Sequence, residues 1–329
     1  MRALGHARCM TEPRLTWPLI QEAQTRIAGR VRLTPVLTSE TLDALAGARL
    51  HFKCETFQKC GAFKARGATN AVFALSEAQA RHGVATHSSG NHAAALARAA
   101  RLRGIKAYIV MPENTPQAKR AAVARYGGEI TYCAPTLAAR EAAARALVAA
   151  TGAAFIHPYD NLMVMAGQGT AAAELLAQVP QLDAIVCPVG GGGLLSGTAV
   201  AAKALKPAIR VIGAEPAGAD DAARSFESGQ LQGAPQPHTI ADGLRGALAP
   251  RTFAEIQAHV DAITRVSEAS IITGMRRLWE VLKIIVEPSG AVPYAAVQAG
   301  YPSLEGRHVG LVLTGANLDL DTLPWLQAP

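Results

Sequence analysis

Gly83-Val84-Ala85-Thr86-His87-Ser88-Ser89-Gly90-Asn91-His92 decides the fold. Its first half reads as a short strand, and its second as a turn of small polar residues. An Ala-rich run from Asn91 to Arg103 then reads as a helix. The same alternation continues downstream. Strand Lys106–Met111 leads to a helix over Thr115–Tyr126, and strand Glu129–Cys133 to a helix over Leu137–Ala150; strand Ala153–His157 closes the series. Strands alternating with helices predict βαβ units and a parallel sheet, here a small domain over residues 79–159.

Outside that block the pattern resumes. Helix Val164–Gln178, strand Ala184–Val189, helix Leu194–Leu205 and strand Arg210–Ala214 follow, then a helix near Ala219–Glu227. Gly229–His238 reads as a loop, followed by helices near Thr252–His259, Ile271–Lys283 and Gly290–Gln298 and a strand at His308–Leu313. Before the block lie a helix from Pro18 to Gly29, an extended piece at Leu33–Val36, a helix over Glu40–Ala46, a strand-like Leu50–Cys54 and a helix over Ala65–Leu75. The expected fold is α/β, with helices on both sheet faces and a second, larger parallel sheet drawn from residues 1–78 and 160–329. Ligands of such sheets bind at the carboxyl ends of the strands.

At 329 residues, half hydrophobic and 17% charged, the chain has ample material for a sizeable core. A net charge of +7 and a pI of about 9.3 raise the question of an acidic partner. The arginines are scattered, as at Arg120, Arg125, Arg140 and Arg145, with no basic block and few aromatics, so they read as solvated helix faces and exclude a nucleic-acid role. The five cysteines (Cys9, Cys54, Cys60, Cys133, Cys187) form no CxxC pair and fit reduced thiols. No apolar leader and no stretch of about 18 apolar residues appears, so no membrane role is expected and the protein reads as cytoplasmic.

Four segments carry chemistry. Thr56-Phe57-Gln58-Lys59-Cys60-Gly61-Ala62-Phe63-Lys64-Ala65-Arg66-Gly67-Ala68 sets one lysine between a glycine turn and a helical run. Lys64 beside Phe63 and small residues is either an amphipathic surface lysine or an amine desolvated into a usable nucleophile or base. Ser88, Ser89, Gly90, Asn91 and His92 exceed what an N-cap needs and point to an anion site. Val189-Gly190-Gly191-Gly192-Gly193-Leu194-Leu195-Ser196-Gly197 is a second strand-turn-helix, suited to wrapping a phosphate. No register of GxGxxG fits it, because the third glycine falls on Leu195 or Ser196, so a dinucleotide is not expected. Glu215 and Asp221 flank a turn with the Ala219 carbonyl between them; they read as oxygen ligands for Mg²⁺ or Ca²⁺, or as a strand end plus an Asp N-cap. Thr314 ends the last strand with a hydroxyl.

Taken in order, GAFKARGA, SSGNH, AGQGT, VGGGGLLSG, EPxxADD, IADG, EPSG and TGAN resemble the fold-type II pyridoxal-phosphate enzymes. Within them, the likeness is to the serine racemase and serine/threonine dehydratase family, from about Leu33 to Leu320. The resemblance implies a two-domain, tryptophan synthase β-like fold, a homodimer, and pyridoxal 5'-phosphate as cofactor. It implies Lys64 as the Schiff-base lysine with Phe63 beside the ring, and Asn91 at the ring's 3′-oxygen. Gly190, Gly191, Gly192, Gly193 and Leu194 match the phosphate cup, and Thr314 matches the partner of the pyridine nitrogen. Ser88, Ser89, Asn91 and His92 match the substrate-carboxylate loop. Glu215, Ala219 and Asp221 match a divalent-metal site (Mg²⁺, Ca²⁺ or Mn²⁺). Ser89 is where racemase-like members keep a serine that returns a proton to Cα from the other face. The implied reaction is β-elimination from a small-molecule β-hydroxy-α-amino acid to a 2-keto acid and ammonia. Racemisation and hydroxyaspartate or phenylserine dehydration are the alternatives, and a non-catalytic cofactor carrier is the different-class one. Arg245 reads as a second-carboxylate partner or a surface arginine. Ala94, Cys60 and Ala316 depart from the family's usual Gln, Thr or Ser, and Gly.

Overall fold

The computed structural model describes residues 13–88, 90–115, 117–300 and 303–326. Ten strands form two sheets: β1 Val36–Leu37, β2 Arg49–Cys54, β3 Val84–His87, β4 Ala107–Pro112, β5 Glu129–Cys133, β6 Ala154–Phe155, β7 Ala184–Pro188, β8 Arg210–Pro216, β9 Ala262–Val266 and β10 His308–Leu313. The smaller sheet has the order β5-β4-β3-β6 and is parallel throughout. The larger has the order β1-β2-β10-β7-β8-β9, so the last strand enters its middle, with Leu313 level with Cys54. All five residues of β7 and the last five of β10 are buried. Such continuous apolar runs are what a parallel strand covered on both faces requires.

The larger sheet departs from the expected pattern at both edges. β1 is antiparallel to β2, with Val36 opposite Lys53. β9 was not foreseen, because four of its five residues are only partly buried and its sequence lacks a core strand's apolar run. Helix boundaries otherwise fall near those expected, and helix Asn91–Arg103 has the limits read from sequence.

Two features hold the lysine segment in place. Helix Lys64–Ala74 crosses helix Leu162–Gln178 at Gly67 and Gly167, where a Cβ on Gly167 would come within 2.6 Å of the Gly67 Cα. The second is a buried ionic network. Arg66, fully buried, donates to both carboxylate oxygens of Glu55 at 2.8 Å and to both of Glu174 at 2.7 Å. Lys53 adds a 2.8 Å bond to Glu174. This cluster ties the end of β2 to the two helices, two residues along the chain from Lys64. Among the described residues, no helix is long and apolar enough to cross a membrane.

Candidate active site

A cleft of about 460 Å³ opens where the carboxyl ends of β3, β7 and β10 come together. Its walls bring together Phe63, Lys64, Ser88, Asn91, His92, Gly190, Gly191, Gly192, Gly193, Leu194 and Thr314. These positions are spread over 250 residues of sequence, and the two sheets make them neighbours.

Lys64 is held by the end of β10. The Phe63 N–H donates to the Thr314 carbonyl at 3.0 Å, and Ala62 bridges to Gly315. The Lys64 Nζ then reaches across the cleft to the Pro158 carbonyl at 2.8 Å, 5.1 Å from the centre of the Phe63 ring. Burial alone lowers its pKa from 10.5 to about 8. The surface-lysine alternative does not hold, and the amine sits where a base or nucleophile is wanted.

The glycine loop joins β7 to helix Gly193–Leu205. Gly192 caps that helix at φ 86°, a conformation that side chains rarely adopt. A Cβ on Gly191 would lie 2.4 Å from the Tyr159 ring, and one on Gly190 would lie 2.7 Å from the Leu244 backbone. The bare backbone therefore forms a cradle beside a helix N-terminus, whose first amides have no intrahelical acceptor. Lysine, cradle and Thr314 hydroxyl in one cleft fit a phosphorylated carbonyl cofactor.

On the opposite wall, the Ser88 Oγ accepts from the Gly90 N–H at 3.3 Å. The His92 ring contacts the Ile156 carbonyl at 3.3 Å, and its Nδ1 has no partner among the described residues. Burial keeps His92 neutral, well below its ordinary pKa, and lowers the neighbouring His157 to about 4. Ser89 lies outside the described residues, as do Cys9 and the other residues up to 12. The remaining four cysteines are free thiols.

Several residues of the cleft carried no assigned role in the sequence. Arg140, on helix Leu137–Thr151, lines it, and its buried Nε has no hydrogen-bond partner among the described residues. Arg245 also borders the cleft, but its Nε and Nη2 both donate to the Thr239 carbonyl, at 3.1 and 2.6 Å. Of the two arginines, Arg140 is the one left to receive an anion. Lys119 and Asp242 form an ion pair across the mouth. Glu287 lies behind Asn91, which donates to it at 2.8 Å, and burial pushes its pKa up to about 8. Glu287 and Asp242 belong to the EPSG and IADG segments, so their motifs were visible while their roles were not. Arg140 gave no signal beyond being one arginine among many.

The acidic turn is assembled apart from the cleft's polar wall. Glu215 accepts from the Ala222 and Ala223 amides at 3.1 and 2.9 Å, and Asp221 from the Leu248 amide at 3.0 Å. The second Asp221 oxygen is buried with no partner among the described residues. Burial pushes Glu215 to about 9 and Asp221 to about 6. Among the described residues no group of three His, Cys, Asp or Glu forms a metal cluster. Glu215 and Asp221 are both buried, and a carboxylate oxygen without a partner is the kind of donor that suits a hard cation.

Comparison with known proteins identifies the family and the fold. Residues 27–315 match the family described as pyridoxal-phosphate dependent enzyme. The chain is 51% identical to a β-hydroxyaspartate dehydratase from Paracoccus denitrificans (strain Pd 1222), over 92% of this chain and 96% of that one. It is 49% identical to a serine racemase from Arabidopsis thaliana, over 92% of this chain and 93% of the relative. The solved structure of maize serine racemase superposes with a TM-score of 0.93 at 46% identity, covering 95% of this chain and 97% of the other.

Proposed function

The chain belongs to the pyridoxal-phosphate-dependent enzyme family, and from that premise we propose that it dehydrates and deaminates a β-hydroxy-α-amino acid bearing a second carboxylate. One observation carries the elimination reading: the enclosed Lys64 amine, lowered to about 8, shares a cleft with the glycine cradle and Thr314. Lys64 would hold the cofactor covalently, with Phe63 beside its ring. The amides of Gly190 to Leu194 would take the phosphate, Asn91 the 3′-oxygen and Thr314 the pyridine nitrogen. When bound, the cofactor supplies an electron sink for charge developing at the substrate Cα.

The chain's own residues do the rest. Ser88, Ser89, Asn91 and His92 grip the substrate α-carboxylate. The Lys64 Nζ, freed when the substrate amine takes its place and partly unprotonated near neutral pH because it is buried, would remove the Cα proton as general base. Thr314, a neutral hydroxyl, would not hold a proton on the ring nitrogen, which would favour prompt departure of the β-hydroxyl. The β-hydroxyl leaves as water with the proton that Lys64 took from Cα, and the released enamine adds water and breaks down to a 2-keto acid and ammonia. Arg140, which lines the cleft and whose buried Nε has no partner among the described residues, receives the second carboxylate, so threo-3-hydroxyaspartate is the favoured substrate. Likeness to the Paracoccus dehydratase supports this choice.

Racemisation is the second reading, supported by likeness to the serine racemases, with Ser89 as the second base. Glu215, Asp221 and the Ala219 carbonyl are the proposed Mg²⁺, Ca²⁺ or Mn²⁺ site, which the burial of both acids and the unpartnered Asp221 oxygen support. The division into residues 79–159 and the remainder is supported by the two separate sheets. A cytoplasmic homodimer completes the reading.

The test is incubation with pyridoxal phosphate and Mg²⁺ against serine, threonine, threo-3-hydroxyaspartate and phenylserine. Keto acid and the chirality of the remaining amino acid are measured together. We expect keto acid fastest from hydroxyaspartate. Keto acid from serine and threonine only would remove the second-carboxylate reading, and none from any substrate would leave a non-catalytic cofactor protein.

A further inference from the structure

Tyr159 lies just past β6 and lines the cleft. Its ring leaves Gly191 no room for a side chain: a Cβ there would lie 2.4 Å from it, and one on Gly193 would lie 3.0 Å from the Tyr159 Cβ. Part of the glycine run that forms the cradle is therefore bare in order to seat a tyrosine. The far end of the ring reaches a second loop. A Cβ on Gly246 would stand 3.5 Å from the Tyr159 Cε1 and 3.7 Å from its hydroxyl oxygen, which is ordinary contact.

His157 fixes the pose. Its Nδ1 accepts from the Tyr159 and Asp160 amides at 3.4 and 2.9 Å, and its ring meets the Tyr159 ring edge-on with centroids 4.6 Å apart. Between His157 and Tyr159 sits Pro158, whose carbonyl accepts from the Lys64 Nζ at 2.8 Å. The turn that holds the amine thus also sets the phenol. Tyr159 stands on the side of the cleft where a substrate's Cα must meet Lys64, and where the groups attached to Cα must lie.

A partly buried tyrosine held this firmly ordinarily gives its hydroxyl a partner. The Tyr159 hydroxyl makes no hydrogen bond with any described residue. Burial raises its pKa, with Asp160 and Asp221 adding to the rise and Arg140 opposing it, so near neutral pH the phenol is an uncharged donor. The Arg140 Nε, buried on the wall of the same cleft, also lacks a partner among the described residues. One guanidinium N–H engages one oxygen of a carboxylate and leaves the other in need of a donor.

We propose that the Tyr159 hydroxyl is a second donor, beside Arg140, to the carboxylate on the substrate's β-carbon. This rests on the reading of Arg140 as that carboxylate's partner. The experiment uses holoenzyme of the wild type, Tyr159→Phe, Arg140→Met and the double variant. Two quantities are read: the ratio of kcat/KM for threo-3-hydroxyaspartate to that for serine, and the cofactor dissociation constant.

Tyr159→Phe keeps the ring against Gly191 and removes only the hydroxyl. It should lower the ratio about tenfold, the scale of one hydrogen bond to a charged group, and leave the cofactor dissociation constant within about twofold. Because both donors hold one carboxylate, the double variant should fall no more than about twofold below Arg140→Met. A ratio unmoved by Tyr159→Phe overturns the proposal, as does a double variant whose losses simply multiply. Weakened cofactor binding with an unmoved ratio also overturns it and assigns the hydroxyl to the cofactor phosphate. A wild type that turns over serine but not hydroxyaspartate overturns the proposal together with the reading beneath it. A ratio that falls in Arg140→Met but not in Tyr159→Phe overturns the proposal alone.

Discussion

Replacing Arg140 by Met exchanges the cleft's unpartnered guanidinium for an apolar chain of similar length. The Arg140 Nε is buried without a partner among the described residues, so a substrate carboxylate that reaches it gains a charge-assisted hydrogen bond with no competing protein bond to break. Such a bond is worth about 1.5–3 kcal/mol, or roughly ten- to 150-fold in a rate or equilibrium constant. We therefore expect kcat/KM for threo-3-hydroxyaspartate to fall by about that factor in Arg140→Met. For serine, which has no second carboxylate, kcat/KM should change by no more than about twofold, since no such bond is lost. Arg140→Lys should fall between the two, because an ammonium keeps the charge but lacks the planar fork. Arg245→Ala serves as the control, since its guanidinium is already engaged by the Thr239 carbonyl and should not discriminate between the substrates. The assay is keto-acid release under initial-rate conditions for both substrates on each variant. Equal losses on serine and hydroxyaspartate would refute the reasoning and leave Arg140 a structural residue.

Lys64→Met should abolish both turnover and the cofactor's visible band. In cofactor-free protein the same change should raise Tm. The lowered pKa means that burying this ammonium costs stability fully below pH 8, and the cost fades as pH rises toward 10.5, so the gain should shrink over that window. Chelation should lower Tm and Mg²⁺ should restore it, whereas Glu215→Gln should make Tm indifferent to both; an unresponsive wild type would leave Glu215 and Asp221 as acceptors for backbone amides only. Arg66→Met strands the buried Glu55 without its paired cation, leaves Glu174 only Lys53, and should cost about 3–5 kcal/mol in denaturant unfolding; a loss under about 1 kcal/mol would show that the network is not what fixes the lysine helix.

Much of this protein is decided by local sequence. The alternation from Gly83 to His157 is a short-range pattern, and it yields strands β3 to β6 because apolar runs and Ala-rich helices differ in period. Gly190 to Gly193 announce a cradle on their own, since four bare positions in a row have few other uses. Lys64 between Phe63 and small residues names a nucleophile once the other motifs are read beside it. β9 escaped because an edge strand needs no continuous apolar run. What only the tertiary structure decided is which ordinary residues are brought to that chemistry. Arg140 lies far along the chain from Lys64 and looks like any helix arginine until the two sheets close on one cleft. Glu287 is an EPSG glutamate until Asn91 and Asn317 are seen to share it. The reason is physical. Backbone preference and hydrophobic period are local and are written in neighbouring residues, whereas burial, an orphaned donor or a shared hydrogen bond belongs to a pair that the chain assembles only by folding.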